Sequence, residues 1–376
     1  MKKLSLAAIL AAGAITLAAC GASEASSSET PETGLAEGGT IAIDRGPLEI
    51  GEPGQVTVVD FNGDVVTVQQ NPTTVAIYDF GILDMLYSVG FENTGIETLI
   101  LPQVDSLPEV LSYFRDTDDV TVISGGSLFY IDWDVLDLVV PETVIFGGRA
   151  FGMNAAGDRL PADEAQEFRA ATEARYTETS FLRLGVNNQV ASTLEDMERN
   201  VNVLSAIFPG IADALEAEME EIRQGMAAIN EVVSESGYTA IFAMMLTSDR
   251  MSLFMPNSRF GMIYNEFGFA AAGEELPEWT DQHGFEARTE FILELNPDVI
   301  FLLDRSEYGD SLAADSYGPA VQAFINDPII GLTNAYENDH IYYNLGPAEW
   351  YTITGGFTSA RRMISDVNQF VESLEQ

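Results

Sequence analysis

Lysine, cysteine and histidine are almost missing from these 376 residues. The lysines are Lys2 and Lys3 alone, the single cysteine is Cys20, and the two histidines are His283 and His340. One cysteine excludes an internal disulfide. So few histidines and cysteines leave no cluster with zinc-ligand spacing. There is no Walker A loop, no Gly-x-Ser-x-Gly elbow and no His-Glu-x-x-His helix. Without a nucleophile set beside a base, the chain does not read as an enzyme.

The scarce residues at the N-terminus form a recognisable signal. Lys2 and Lys3 precede the apolar run "LSLAAILAAGAITLAA", which is too short and alanine-rich to read as a membrane span. "LAAC" resembles a bacterial lipobox, so residues 1–19 read as a signal peptide removed before Cys20, with the Cys20 sulfur lipidated. Residues 20–39, small, polar and acidic, cannot bury a core and read as a flexible tether. Cleavage there leaves 15 arginines against 59 acidic residues. Such a chain repels nucleic acid and anionic lipid, and its acidity suits a solvated surface in high salt.

What is present is an alternation of apolar strands and amphipathic helices. "QVTVVDF" and "DVVTVQQ" flank Asn62-Gly63, a hairpin signal. "TTVAIYD", "TLILP", "VTVI" and "TVIFGGR" are strands interleaved with helical segments, the pattern of an α/β lobe with a mostly parallel sheet. Leu194, Met197, Val201, Leu204 and Ile207 recur at helical spacing before Pro209-Gly210, and a second helix and α/β series follow. The predicted architecture is two α/β lobes, residues 40–187 and 209–376, joined by one helix over 188–208, with a ligand between them. One large α/β domain with a helical insertion is the alternative.

An internal echo supports two lobes. "LDLVVPETVIFGGR" and "LELNPDVIFLLDR" each read helix, proline stop, buried strand, and an arginine eight positions after the proline. Ligands of open α/β sheets bind beyond the carboxyl ends of the strands, so Arg149 and Arg305 are predicted to face each other across a cleft. Arg259, in "PNSRFG", sits in a turn before an apolar run. Guanidinium groups bind oxyanions in bidentate fashion and stay charged, so three together would hold an anion of about three charges. Pairing of each with a nearby acid, such as Asp304 beside Arg305, is the structural alternative. His283, in the loop "DQHGF", and Tyr351, in "GPAEWYTITGG", offer imidazole and phenol donors for ferric iron. A loop hydrogen bond serves His283 equally well.

In this order and spacing, "AIYDFGILDMLYSVG", "LPEVLSYF", "VIFGGRAFG", "SRFGMIYNEFGF", "HG", "VIFLLDR" and "EWYTITGG" resemble the substrate-binding lipoproteins of bacterial iron–siderophore ABC transporters. These have the class III periplasmic-binding-protein fold, and the petrobactin and catecholate branch is the nearest match. The resemblance covers about residues 40–370. It implies an extracytoplasmic, lipid-anchored monomer that binds a ferric siderophore and delivers it to an ABC permease, with no intrinsic cofactor; a receptor for haem or another metal chelate is the alternative. It further implies ligand binding by Arg149, Arg259, Arg305 and Trp350. His283 and Tyr351 would bind ferric iron where a tetradentate siderophore leaves sites open. Acids for docking on the permease would be Glu109 and, less plainly, Glu266.

Overall fold

The computed structural model describes residues 54–186, 192–273, 284–305 and 318–374. Cys20 and the N-terminal segments lie outside them.

Two sheets organise the chain. In the first, five parallel strands run in the order Thr121–Ser124, Thr98–Leu101, Thr74–Tyr78, Thr143–Phe146, Ser180–Arg183. Every residue of Thr143–Phe146 is buried, as expected of a parallel strand covered on both faces. The strand order reverses between Thr74–Tyr78 and Thr143–Phe146, which opens a crevice at their carboxyl ends. The predicted hairpin, Gln55–Val59 with Val65–Gln69, stands apart as its own two-stranded sheet. Its turn is tied by the Asp60 carboxylate, which accepts the Asn62 and Asp64 N–H groups at 2.8 and 3.0 Å.

The second sheet is mixed rather than parallel throughout. Its main order is Phe285–Ala287, Arg250–Phe254, Thr239–Thr247, Val299–Asp304, Ile341–Tyr342. Arg250–Phe254 returns antiparallel along Thr239–Thr247 and pairs antiparallel with Phe285–Ala287. Val299–Asp304 is parallel to the central strand.

The internal echo is a real topological equivalence. Helices Trp133–Val139 and Thr289–Leu295 each end on a residue in the left-handed region, Val140 at φ 42° and Asn296 at φ 43°. Pro141 and Pro297 follow, where a helix cannot continue. The next strand in each lobe, Thr143–Phe146 or Val299–Asp304, pairs parallel with that lobe's central strand. Arg149 and Arg305 therefore leave equivalent strands.

The joint is broader than a single helix. The connecting helix, Thr193–Ile207, starts at Ser192, whose hydroxyl accepts the Glu195 N–H at 3.1 Å. After a short turn at Pro209–Ile211 the chain enters a long helix, Ala212–Ser236, which buries Leu215, Met219, Ile222, Met226, Ile229 and Val233 at helical spacing. The C-terminal helix, Phe357–Leu374, packs along that long helix and also on helix Phe80–Ser88 of the first lobe. Its start is capped from the first lobe: the buried Asp84 carboxylate accepts the Thr358 N–H at 2.7 Å. One hydrophobic cluster runs from Val75, Ile77 and Ile145 of the first sheet, through Leu204 and Met219, to Phe242 and Phe301 of the second.

Candidate functional site

The carboxyl ends of the two sheets enclose a cavity of about 870 Å³, well within the range of small-molecule sites. Five arginines line it: Arg149, Arg159, Arg183, Arg259 and Arg305. The one carboxylate on its wall, among the described residues, is Asp79. The structure thus brings together the three arginines expected from sequence and adds two.

Local chemistry fixes each of the three. Arg149 follows the Gly147-Gly148 turn at the end of Thr143–Phe146. Gly147 is required there, because a Cβ would meet the Asp79 carboxylate at 2.1 Å. Arg305 directly follows Val299–Asp304, and its N–H still bonds to the Met245 carbonyl at 3.0 Å, extending the sheet register. Arg259 rides on a turn held by Ser258 N–H to Met255 O and Gly261 N–H to Ser258 O, both 2.9 Å. Next to it the Phe260 ring is buried, stacked on Phe242 at 3.9 Å and edge-on to Phe254. Gly261 lets the turn close: a Cβ would sit 2.2 Å from the Pro256 carbonyl. The short helix Met262–Asn265 then carries the predicted apolar run into the core.

These three guanidinium groups converge on Tyr351. Their Cζ atoms lie 4.3 Å (Arg259), 4.6 Å (Arg305) and 5.2 Å (Arg149) from its ring centroid, within cation–π range. Arg149 also donates to the Tyr351 carbonyl at 3.1 Å. Tyr351 sits on a π-helical turn, Ala348–Thr352, a rare geometry that recurs at functional sites. Burial alone would raise its phenol, but Arg259, Arg149 and Arg305 outweigh burial and hold it below its ordinary value. Burial, then repulsion from Arg149, depresses Arg259 to about 10, which leaves it charged at neutral pH. Its buried Nε has no hydrogen-bond partner among the described residues.

Pairing separates these arginines from all the other described ones but the exposed Arg288. Arg115, Arg169, Arg175, Arg199, Arg223, Arg250, Arg361 and Arg362 each form an ion pair with a carboxylate. Among the described residues, none of the five cleft arginines does. Pairing with neighbouring acids, the bland account of Arg149, Arg259 and Arg305, is therefore not what the structure contains. The cleft is a concentrated patch of uncompensated positive charge in an acidic protein, able to draw in and hold an anion.

Two cleft arginines and the acid escaped sequence reasoning. Arg183 ends strand Ser180–Arg183 and so carries the same strand-end signal that marked Arg149 and Arg305. Arg159 sits on a loop bridged back to Met153 and carries no such signal. Asp79 caps helix Phe80–Ser88, accepting the Gly81 and Ile82 N–H groups at 3.0 and 3.1 Å. Burial raises its carboxyl, against the pull of those N–H groups and of Arg149.

Two expectations are corrected. Trp350 does not face the cleft. It is buried, stacked near Phe242 and Phe301, and its indole N–H donates to Asp366 at 2.8 Å. The π turn aims Trp350 into the core and its neighbour Tyr351 into the cavity. Glu266 does not present an acid to a partner. It is buried, and its carboxylate accepts the Leu194 N–H at 3.1 Å at the start of the connecting helix, where negative charge meets the positive end of the helix. Glu109 is exposed, its carboxylate paired with Arg115 at 2.7 Å. His283 lies outside the described residues; Gly284, which follows it, has φ 73° and no room for a Cβ against the Leu253 carbonyl.

The chain as a whole is similar to known proteins. A family model described as periplasmic binding protein matches residues 148–345. The chain is 27% identical over 375 residues, 99% of its length and 100% of the relative's, to the petrobactin-binding protein YclQ of Bacillus subtilis (strain 168). The crystal structure of YclQ aligns with a TM-score of 0.68 at 26% identity, covering 85% of this chain and 99% of that one. The ferric-anguibactin-binding protein FatB of Vibrio anguillarum is 21% identical over 311 residues, 82% of this chain and 86% of FatB. The fold is shared with the periplasmic catecholate-siderophore binding protein VctP of Vibrio cholerae, at a TM-score of 0.67 and 24% identity over 84% of this chain and 99% of that one.

Proposed function

We propose that this chain, which belongs to the periplasmic binding protein family, is an extracytoplasmic receptor that captures an anionic ferric siderophore of catecholate type and hands it to an ABC permease. The observation that carries the reading is the set of three arginines, free of carboxylate partners, around the Tyr351 ring in the interlobe cleft. A ferric tris-catecholate carries three negative charges, and three guanidinium groups match it. Charge-assisted hydrogen bonds contribute about 1.5–3 kcal/mol each, so three of them approach micromolar binding before the apolar walls, Phe254, Met244 and Leu128 among them, contribute. The relatives' names, for petrobactin, anguibactin and catecholate siderophores, favour this reading over haem.

With a tetradentate chelator, the Tyr351 phenolate and the His283 imidazole complete the iron octahedron. The depressed Tyr351 phenol supports the first half of this pair. Cys20 supplies the lipid anchor to the membrane, Glu109 is the surface acid that meets the permease, and the receptor works as a monomer without nucleic acid. The family and the named relatives are binding proteins, and the cleft needs no chemistry beyond capture.

Tryptophan-fluorescence titration tests the reading. Ferric catechol complexes quench at micromolar concentration or below, and free ferric ion does not. Absence of quenching and of any mobility shift with ferric catecholates overturns it. Replacing His283 with alanine and Tyr351 with phenylalanine removes a ligand-to-metal charge-transfer band seen with tetradentate ligands alone. Equal loss with hexadentate ligands refutes direct ligation.

A further inference from the structure

The five cleft arginines fall into two groups. Arg149, Arg259 and Arg305 surround Tyr351. Arg159 and Arg183, both from the first lobe, line the same cavity but are not among the guanidinium groups over the Tyr351 ring.

Arg183 is held as a prepared ligand group. Its Cζ lies 5.1 Å from the Phe61 ring centroid, and its Nη1 donates to the Asn62 side-chain carbonyl. Its backbone N–H donates to the Asp60 carboxylate at 3.2 Å, and its carbonyl accepts the Phe61 N–H at 2.9 Å. The hairpin turn, residues 60–63, thus grips the strand end and fixes the guanidinium before any ligand arrives, which reduces the ordering cost of binding. A Cβ on Gly148 would lie 3.4 Å from Arg183 Nη2, so this guanidinium overhangs the backbone beside Arg149. Asp60 is the nearby acid, but it takes the Arg183 backbone N–H rather than forming an ion pair with the guanidinium. Arg199, over the same Phe61 ring at 4.5 Å, is spent on Asp196, and Arg169 on Glu173 and Asp64. Arg159 stands exposed on the rim. A fixed guanidinium with no carboxylate partner, in a cavity that a second one also lines, is suited to a planar oxyanion.

We propose that Arg183, with Arg159, forms a second anion subsite that selects ferric chelates bearing a pendant carboxylate in addition to the charge around the metal. This rests on the function proposed above and specifies its substrate class. A pendant carboxylate engages the first-lobe wall while the metal-bound oxygens meet the arginines around Tyr351. Selectivity for it then resides in one lobe and retention of the ferric core in the joint of both.

Two probes separate the parts of this claim: the ferric complex of a plain tris-catecholamide, and the ferric complex of the same chelator carrying one free carboxylate. The full chain is titrated with each. We expect the carboxylated complex to bind about tenfold more tightly, the worth of one charge-assisted contact. Arg183→Gln lowers affinity for the carboxylated complex more than for the plain one and so removes that advantage; Arg159→Gln, at an exposed position that does not threaten folding, reduces the advantage in part. Equal affinity of the unaltered protein for both complexes, or equal losses for both in the variants, overturns the subsite and leaves the function standing. Failure of the unaltered protein to bind either complex overturns the function and the subsite with it.

Discussion

Replacing Arg259 with methionine should make the empty protein more stable and the receptor worse. The side chain is held where its charge is disfavoured: burial first, then Arg149, bring its titration well below the ordinary arginine range, to about 10. Maintaining the charge there costs roughly 3 kcal/mol, and water entering the open cleft reduces the recoverable part to about 1–2 kcal/mol. Methionine keeps the apolar stem and deletes the charge and the unpartnered Nε. The sign follows from linkage: a base with a depressed pKa lowers stability at all pH values below about 10, and the penalty fades as pH climbs from there toward the ordinary arginine range. At pH 7 the ligand-free variant should melt a few degrees higher than the parent. Binding of a ferric tris-catecholate should weaken about 10- to 100-fold, the loss of one charge-assisted contact, and its affinity should depend less steeply on salt. Scanning calorimetry without ligand and fluorescence titration at two ionic strengths measure both halves. A lower or unchanged melting temperature together with unchanged affinity refutes the account of Arg259 as a strained, ligand-directed charge.

Further outcomes follow from buried carboxylates away from the cleft. Burial raises Asp84 to about 6, so its contribution favours the fold most below the ordinary carboxyl range and is lost as pH rises through 6; Asp84→Asn should therefore gain stability relative to the parent as pH rises from 4 to 7, measured by denaturant melts of both. A relative loss over that range contradicts the assignment. Glu266→Ala should cost about 1–2 kcal/mol by orphaning the N–H groups at the start of the connecting helix, whereas Glu266→Gln, which keeps an acceptor, should cost less and leave iron uptake in cells intact. Impaired uptake in a stable Glu266→Gln protein would restore that residue as a docking acid.

Much of this was readable in advance, for specific reasons. Arg149 and Arg305 were legible because a proline stop, a buried strand and a rare residue type recur in both halves. The connecting helix was legible because Leu194, Met197, Val201, Leu204 and Ile207 keep strict spacing and all but Leu194 are fully buried. Helix Ala162–Arg175 escaped notice because it buries only Thr172 along its length, so it has no apolar stripe to read. The antiparallel return of Arg250–Phe254 was hidden for the opposite reason: four of its five residues are buried, and a continuous apolar run does not declare strand direction. Trp350 and Tyr351 could not be told apart, since adjacent residues on a regular turn differ little in facing. A π turn separates them, and nothing in "AEWYT" announces it. Glu266 was misread because a carboxylate at a helix start and a carboxylate on a surface look alike in sequence.

The single apolar cluster that continues from one sheet to the other bears on how occupancy is announced. Halves tied through that cluster, beside one of their own in each lobe, should behave as a gauge with fixed jaws rather than a trap that shuts. Loading it should then change its outline little, and a permease reading outline would find empty and full copies nearly alike. What should change is the field at the mouth, where a bound trianion offsets much of the charge of the five guanidinium groups. Small-angle scattering should therefore barely distinguish the two forms, while anion-exchange retention should shift clearly on loading.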